Sequence, residues 1–98
     1  MIYMDIFDVS IAPKVERELT RLPKHIALNL MDWIDDVREY GLREVKKLPG
    51  YHDEPVKGKE RKGQRSIRLN KAYRAFYIID GSQTVHFVEV IEVNKHEY

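Results

Sequence analysis

Cysteine is missing altogether, and its absence excludes disulfide frameworks, thiolate zinc sites, iron–sulfur clusters and cysteine nucleophiles. No apolar run approaches the ~20 residues needed to cross a bilayer. The first residues, Met1 to Asp5, show neither the basic nor the apolar region of a signal peptide. Glycine is sparse, five in 98 residues, and none falls in a phosphate-cradling P-loop or dinucleotide pattern. Net charge is also scant at +1, which by itself argues against a nucleic-acid partner. A cytoplasmic single domain over residues 1–98 is expected, burying roughly 60–65% of the surface its unfolded chain exposes.

What is present changes the reading of charge. Between Tyr51 and Arg74 stand eight basic residues against three acidic ones, a local +5. The remainder has nine basic and thirteen acidic residues, or −4, so the near-neutral total hides a polarised molecule.

Hydropathy patterning predicts an opening strand from Ile2 to Val9, with Ser10 as N-cap of a helix through about Leu22. Ile11, Val15, Leu19 and Leu22 line one face of that helix, and Pro13 is tolerated in its first turn. Leu22-Pro23 breaks the pattern. A second helix over Lys24 to Tyr40 carries the stripe Ile26, Leu30, Trp33, Ile34 and Val37, and Gly41 sits where a C-terminal cap belongs. Leu42 to Leu48 can add a short helical turn before Pro49-Gly50. The stretch 51–64 reads as a polar loop, long enough to suggest function. Strands Arg65–Leu69, Tyr73–Ile79 and Val85–Val93 follow, with Asp80-Gly81 as a hairpin turn. The order β-α-α-β-β-β predicts an α+β fold: an antiparallel sheet with a helical hairpin on one face.

Period-2 alternation puts Ile67 and Leu69 on one face of their strand, and Ser66 and Arg68 on the other. Tyr73–Ile79 is apolar on both faces and reads as a central strand. An arginine within it needs a partner, because a buried lone guanidinium is costly. Arg74 therefore either pairs with Glu89 or Glu92, or lines a phosphate groove. The loop cations are either a solvated face or a grip on phosphates, with strand-borne Arg68 and Arg74 supplying fixed forks. After the last strand, His96, Glu97 and Tyr98 bring an imidazole, a carboxylate and a phenol together, a mixture suited to acid–base work. His52 is a second such candidate, while His25 and His86 read as structural. His52, Asp53, Glu54 and His96 lack metal-ligand spacing, so no metal or other cofactor is expected.

The basic loop "EPVKGKERKGQRSIRL", the strand "AYRAFYIID" and the ending "VEVIEVNKHEY" resemble the RelE/HigB-like toxins of type II toxin–antitoxin modules, within the RelE/ParE superfamily. The resemblance covers nearly the whole chain and is most specific from Pro55 to Tyr98. It implies a RelE-like fold and metal-free cleavage of mRNA in the ribosomal A site. It also implies a cognate antitoxin, with operator DNA bound only through the toxin–antitoxin complex, and no membrane. Position by position, it implies that Arg74 and Arg68 stabilise charge on the scissile phosphate. Lys57, Lys59, Arg61, Lys62 and Arg65 would grip the RNA backbone. His96 takes the catalytic position after the last strand, and Tyr98 that of the stacking or proton-transferring aromatic. The general base stays open among His52, Glu54, Glu97 and His96. A ParE-like gyrase poison on the same scaffold is the rival expectation.

Overall fold

A computed structural model describes residues 5–93. Its elements run β1 (Asp8–Ser10), α1 (Pro13–Arg21), α2 (Lys24–Tyr40), α3 (Leu42–Lys46), a 3₁₀ turn (Pro49–Tyr51), β2 (Glu54–Pro55), β3 (Arg65–Arg68), β4 (Tyr73–Ile79) and β5 (Thr84–Glu92). One five-stranded sheet has the order β1-β5-β4-β3-β2, which makes β4 central as its two apolar faces require. The α+β class holds, but the sheet is mixed rather than antiparallel. β1 pairs parallel with β5, Val9 opposite Val85, because the intervening helices supply the crossover that a parallel neighbour needs. Of the strand expected over Ile2–Val9, residues 2–4 lie outside the described residues, residues 5–7 are not in a strand, and β1 begins at Asp8. It ends on Ser10, so that residue is not a helix cap. The N-cap is Ala12, which has no side-chain bond to offer, with Pro13 at the first helical position.

The helices follow their patterns closely. Leu22 is extended (φ −82°, ψ 155°), as a residue before proline must be, and this ends α1. Ile26, Leu30, Trp33, Ile34 and Val37 of α2 are all fully buried. They share one core with Val15 of α1, Leu42 and Val45 of α3, and Ile67, Ala75, Tyr77, Val85 and Phe87 of the sheet. An aromatic triad sits at its centre, with Trp33 5.1 Å from Tyr77 and 5.4 Å from Phe87 between ring centroids.

Two departures from regular geometry place the functional face. In β5, Glu89 faces Phe76 while Phe87 faces Tyr77, so Val88 is an extra, bulged residue. Without the bulge Glu89 would lie on the core side with Phe87; with it, Glu89 turns to the open face. Gly41 joins α2 to α3 at φ +88°, ψ 150°, and a β-carbon there would run into the Asp5 carboxylate and approach the Phe7 ring. That carboxylate accepts the Ile6 and Arg43 backbone N–H groups at 2.7 and 3.1 Å, stapling the incoming chain to the helix junction. Gly41→Ala is expected to lower stability by about 2–3 kcal/mol through backbone strain and this collision, read as a lower urea midpoint.

Candidate functional site

The helices cover one face of the sheet, and the other is open. Strand pairing sets out the open face in two rows. The first runs Glu54, Ser66, Phe76, Glu89 across β2, β3, β4 and β5, and the second runs Arg68, Arg74, Ile91. Arg68 and Arg74 are directly opposite each other. Like charges facing across antiparallel strands are destabilising, so this pair is an arrangement that an anion would relieve.

Each arginine has a flanking group from the segment before β3. His52 Nε2 lies 3.5 Å from Arg68 Nη1, and Glu54 Oε1 lies 4.0 Å from Arg74 Nη1. Arg74 also donates to the buried Ser66 hydroxyl at 3.3 Å. Of the two alternatives for Arg74, the pairing with Glu89 or Glu92 does not occur: Glu92 faces Tyr73, and Glu89 is taken by Arg61. A groove of about 560 Å³ lies over Arg74, walled by Glu54, Lys57, Ser66 and Phe76. A second recess of about 520 Å³ continues from Lys57 and Phe76 toward Lys59 and Arg61. The two recesses share Val56, Lys57 and Phe76 and so form one channel over the open face.

The basic residues of the loop divide into two kinds. Lys57 and Lys59 are exposed and line the channel, as phosphate-gripping lysines should, and Lys62 is exposed on the same loop. Arg61 and Arg65 are committed to partners within the protein. Arg61 forms an ion pair with Glu89, donates to Gln64 Oε1 at 3.0 Å and stacks its guanidinium 3.8 Å above the Phe76 ring. It therefore latches the loop to the sheet. Arg65 points to the core side, opposite Tyr77, and its Nε donates to Asp53 Oδ1 at 2.7 Å. Burial opposes its charge, but the Asp53 carboxylate outweighs burial and holds the guanidinium more firmly protonated than usual. Counted as RNA-gripping from sequence, Arg65 is placed by the structure away from the groove.

His96, Glu97 and Tyr98 lie outside the described residues. His25 is exposed at the start of α2. His86 contacts Asp80 at 2.5 Å, and that carboxylate is held below its usual range chiefly by this bond. Asp80 also accepts the Ser82 and Thr84 N–H groups, closing the β4–β5 hairpin. Among the described residues, no cluster of three His, Asp or Glu side chains is arranged to hold a metal ion. No described helix is long and apolar enough to span a membrane. Ser66, Phe76 and Asp53 belong to the site or its support, yet sequence reasoning passes over them. For Ser66 a signal exists, since alternation already puts it beside Arg68.

The family model described as "ParE toxin of type II toxin-antitoxin system, parDE" matches residues 9–95. A comparison with curated proteins finds no match. Among solved structures, the RelBE2 toxin–antitoxin complex of Mycobacterium tuberculosis holds a chain 24% identical, with TM-score 0.63 over 89% of this chain and 98% of that one. The archaeal RelE–RelB complex from Pyrococcus horikoshii gives 16% identity and TM-score 0.68 over 91% and 97% of the two chains. YafQ from E. coli gives 14% and 0.67 over 87% and 91%. At these identities the structural likeness establishes the fold, and the family match carries the membership. With nearly all of its length inside that match, the chain belongs to the ParE toxin family and is a toxin of a type II toxin–antitoxin system in the RelE/ParE superfamily.

Proposed function

We propose that this toxin is an endoribonuclease that cuts messenger RNA on the ribosome through attack of a 2′-hydroxyl on the adjacent phosphate. The observation that carries the reading is the opposed Arg68–Arg74 pair on the open face, flanked by His52 and Glu54. A phosphate seated over the two guanidiniums meets two fixed forks, and the charge that builds on its oxygens in the transition state is what they stabilise. His52 Nε2, 3.5 Å from Arg68 Nη1, stands beside the seat of that phosphate. His52 takes the proton of the 2′-hydroxyl. Glu54 orients Arg74. His96 protonates the departing 5′-oxygen, and Tyr98 stacks on a neighbouring base. The oxygen–phosphorus bond to the 5′-oxygen breaks as the 2′-oxygen bond forms, leaving a 2′,3′-cyclic phosphate and a 5′-hydroxyl. Lys57, Lys59 and Lys62 hold the flanking backbone, so affinity should fall steeply with salt. A cognate antitoxin neutralises the toxin, and operator DNA is reached only through their complex.

A second reading, a DNA gyrase poison, is favoured by the ParE family match. Mapping RNA 5′ ends after brief induction separates the two. New 5′-hydroxyl ends inside translated messages, with intact DNA, are expected. Double-strand DNA breaks with unchanged transcripts would establish the gyrase reading instead.

A further inference from the structure

We infer that Asp53 is a positioning residue: pinned from the core side by Arg65 and Tyr77, it sets His52 against Arg68 and Glu54 against Arg74. The inference rests on the nuclease reading for its catalytic consequence, but its geometric content stands separately.

Asp53 is the outlier of its segment. His52, Glu54 and Pro55 are exposed, whereas the Asp53 side chain is 0% exposed. A carboxylate is not buried without compensation, and here both oxygens are used. Arg65 Nε donates to Oδ1 at 2.7 Å, the Tyr77 hydroxyl donates to Oδ2 at 2.6 Å, and Arg65 Nη2 reaches the Asp53 carbonyl at 3.4 Å. Arg65 and Tyr77 are opposite residues of β3 and β4, so the carboxylate is fixed to two strands at once. Burial, and then the bond to Asp53, hold the Tyr77 hydroxyl well above its usual range, so it stays a donor at any physiological pH.

On either side the segment is tied down by Tyr51, which packs on the core and donates to Asp36 Oδ2 at 3.3 Å, and by the Val56 N–H, which donates to the Gln64 carbonyl at 3.0 Å. Between them Asp53 has the only fully buried side chain. The segment's strand, β2, has two residues, both exposed, and pairs only with β3. A two-residue edge strand specifies its register weakly. Just before the pin, His52 adopts a left-handed conformation (φ 47°), uncommon for a residue with a β-carbon and maintained only where surroundings demand it. One buried side chain between two exposed neighbours therefore decides which way His52 and Glu54 project. An apolar residue at 53 would fill the space but could not fix the direction, since apolar contact has no angular preference.

The test uses single-turnover cleavage by the full chain on ribosomes programmed with a defined message. Tyr77→Phe removes one of the two clamps, and Asp53→Asn removes the charge. Both are expected to slow cleavage 10–100-fold. Affinity for the same complex carrying a 2′-deoxy residue at the cut position should change less than threefold. In a background of His52→Ala with Glu54→Gln, Tyr77→Phe should cost less than a further threefold, because the pin acts through those two residues. Loss that multiplies unchanged in that background, or equal rates for wild type and Tyr77→Phe, would overturn the inference. The free protein supplies a second readout: the His52 imidazole resonances should move in Tyr77→Phe while the core methyl resonances hold. Unmoved His52 resonances would overturn the inference even if wild type cut no message, a result that would separately reject the nuclease reading. Should Asp53→Asn fail to fold, Tyr77→Phe and the resonance shift decide alone.

Discussion

Alanine at position 74 is expected to slow message cleavage about 10²–10³-fold, the range typical for removing one preorganised donor to developing charge. The effect should be this large because Arg74 is not a flexible surface cation. It is borne by the central strand, braced by the Ser66 hydroxyl at 3.3 Å, and faces Glu54 at 4.0 Å. Lysine at 74 should recover only part of the loss, since it supplies a point charge without the parallel N–H fork. Stability should move differently. Arg74 opposes Arg68 across the β3–β4 ladder, and relieving a like-charge pair is worth about 0.2–1 kcal/mol. Its contacts with Ser66 and Glu54 are long, at 3.3 and 4.0 Å, and the Arg74 and Glu54 side chains are partly exposed, so losing them costs little. Arg74→Ala should therefore keep or slightly raise the thermal midpoint while activity collapses. An arginine retained for the fold would show the reverse. Undiminished single-turnover cleavage by Arg74→Ala would show that this guanidinium does not serve the phosphate.

The parts of this architecture legible in the sequence are those fixed by short-range patterns. α2 spans seventeen residues between Pro23 and Gly41, and its stripe from Ile26 to Val37 buries as its spacing requires. β4 reads as central because both of its faces are apolar, and Asp80-Gly81 reads as a turn because Asp80 bonds the N–H groups beyond it. What could not be read depends on pairing between distant segments. The parallel β1–β5 ladder and the two-residue β2 strand leave no local pattern. The bulge at Val88 decides that Glu89 meets Arg61 rather than Arg74, and nothing within β5 announces it.

Arg65 is an instructive intermediate case. The alternation that joins Ile67 with Leu69 also places Arg65 on their side of β3, so its inward position is legible. Its partner Asp53 lies twelve residues upstream across that edge strand and is not. A segment count of +5 treats eight cations as equal. The fold pairs Arg61 with Glu89 and Arg65 with Asp53, and leaves four exposed lysines and the directly opposed Arg68 and Arg74.

Removing the indole of Trp33 is expected to be the most damaging single change to the fold, costing about 3–5 kcal/mol for Trp33→Ala. A chain of this length has a total stability of roughly 5–15 kcal/mol, so most of the margin could go, with a fall in thermal midpoint on the order of 20 °C. The residue is fully buried on α2, and its ring is the common neighbour of Tyr77 and Phe87, which are themselves 6.0 Å apart. Nothing adjacent can collapse into the space without moving α2 against the sheet. Trp33→Phe should behave very differently. The indole N–H is buried with no hydrogen-bond partner among the described residues, and such an orphan donor costs about 1–3 kcal/mol. Phenylalanine gives up packing volume but also removes that penalty, so a net loss of about 1 kcal/mol is expected by urea titration. Equal damage from the two substitutions would mean that the indole N–H is satisfied after all. The same experiment reaches the open face, because Trp33 backs the ring of Tyr77, whose hydroxyl clamps Asp53. In Trp33→Phe the Tyr77 ring retains an aromatic neighbour and message cleavage should persist. In Trp33→Ala the ring is freed, and cleavage measured well below the midpoint should fall with the clamp.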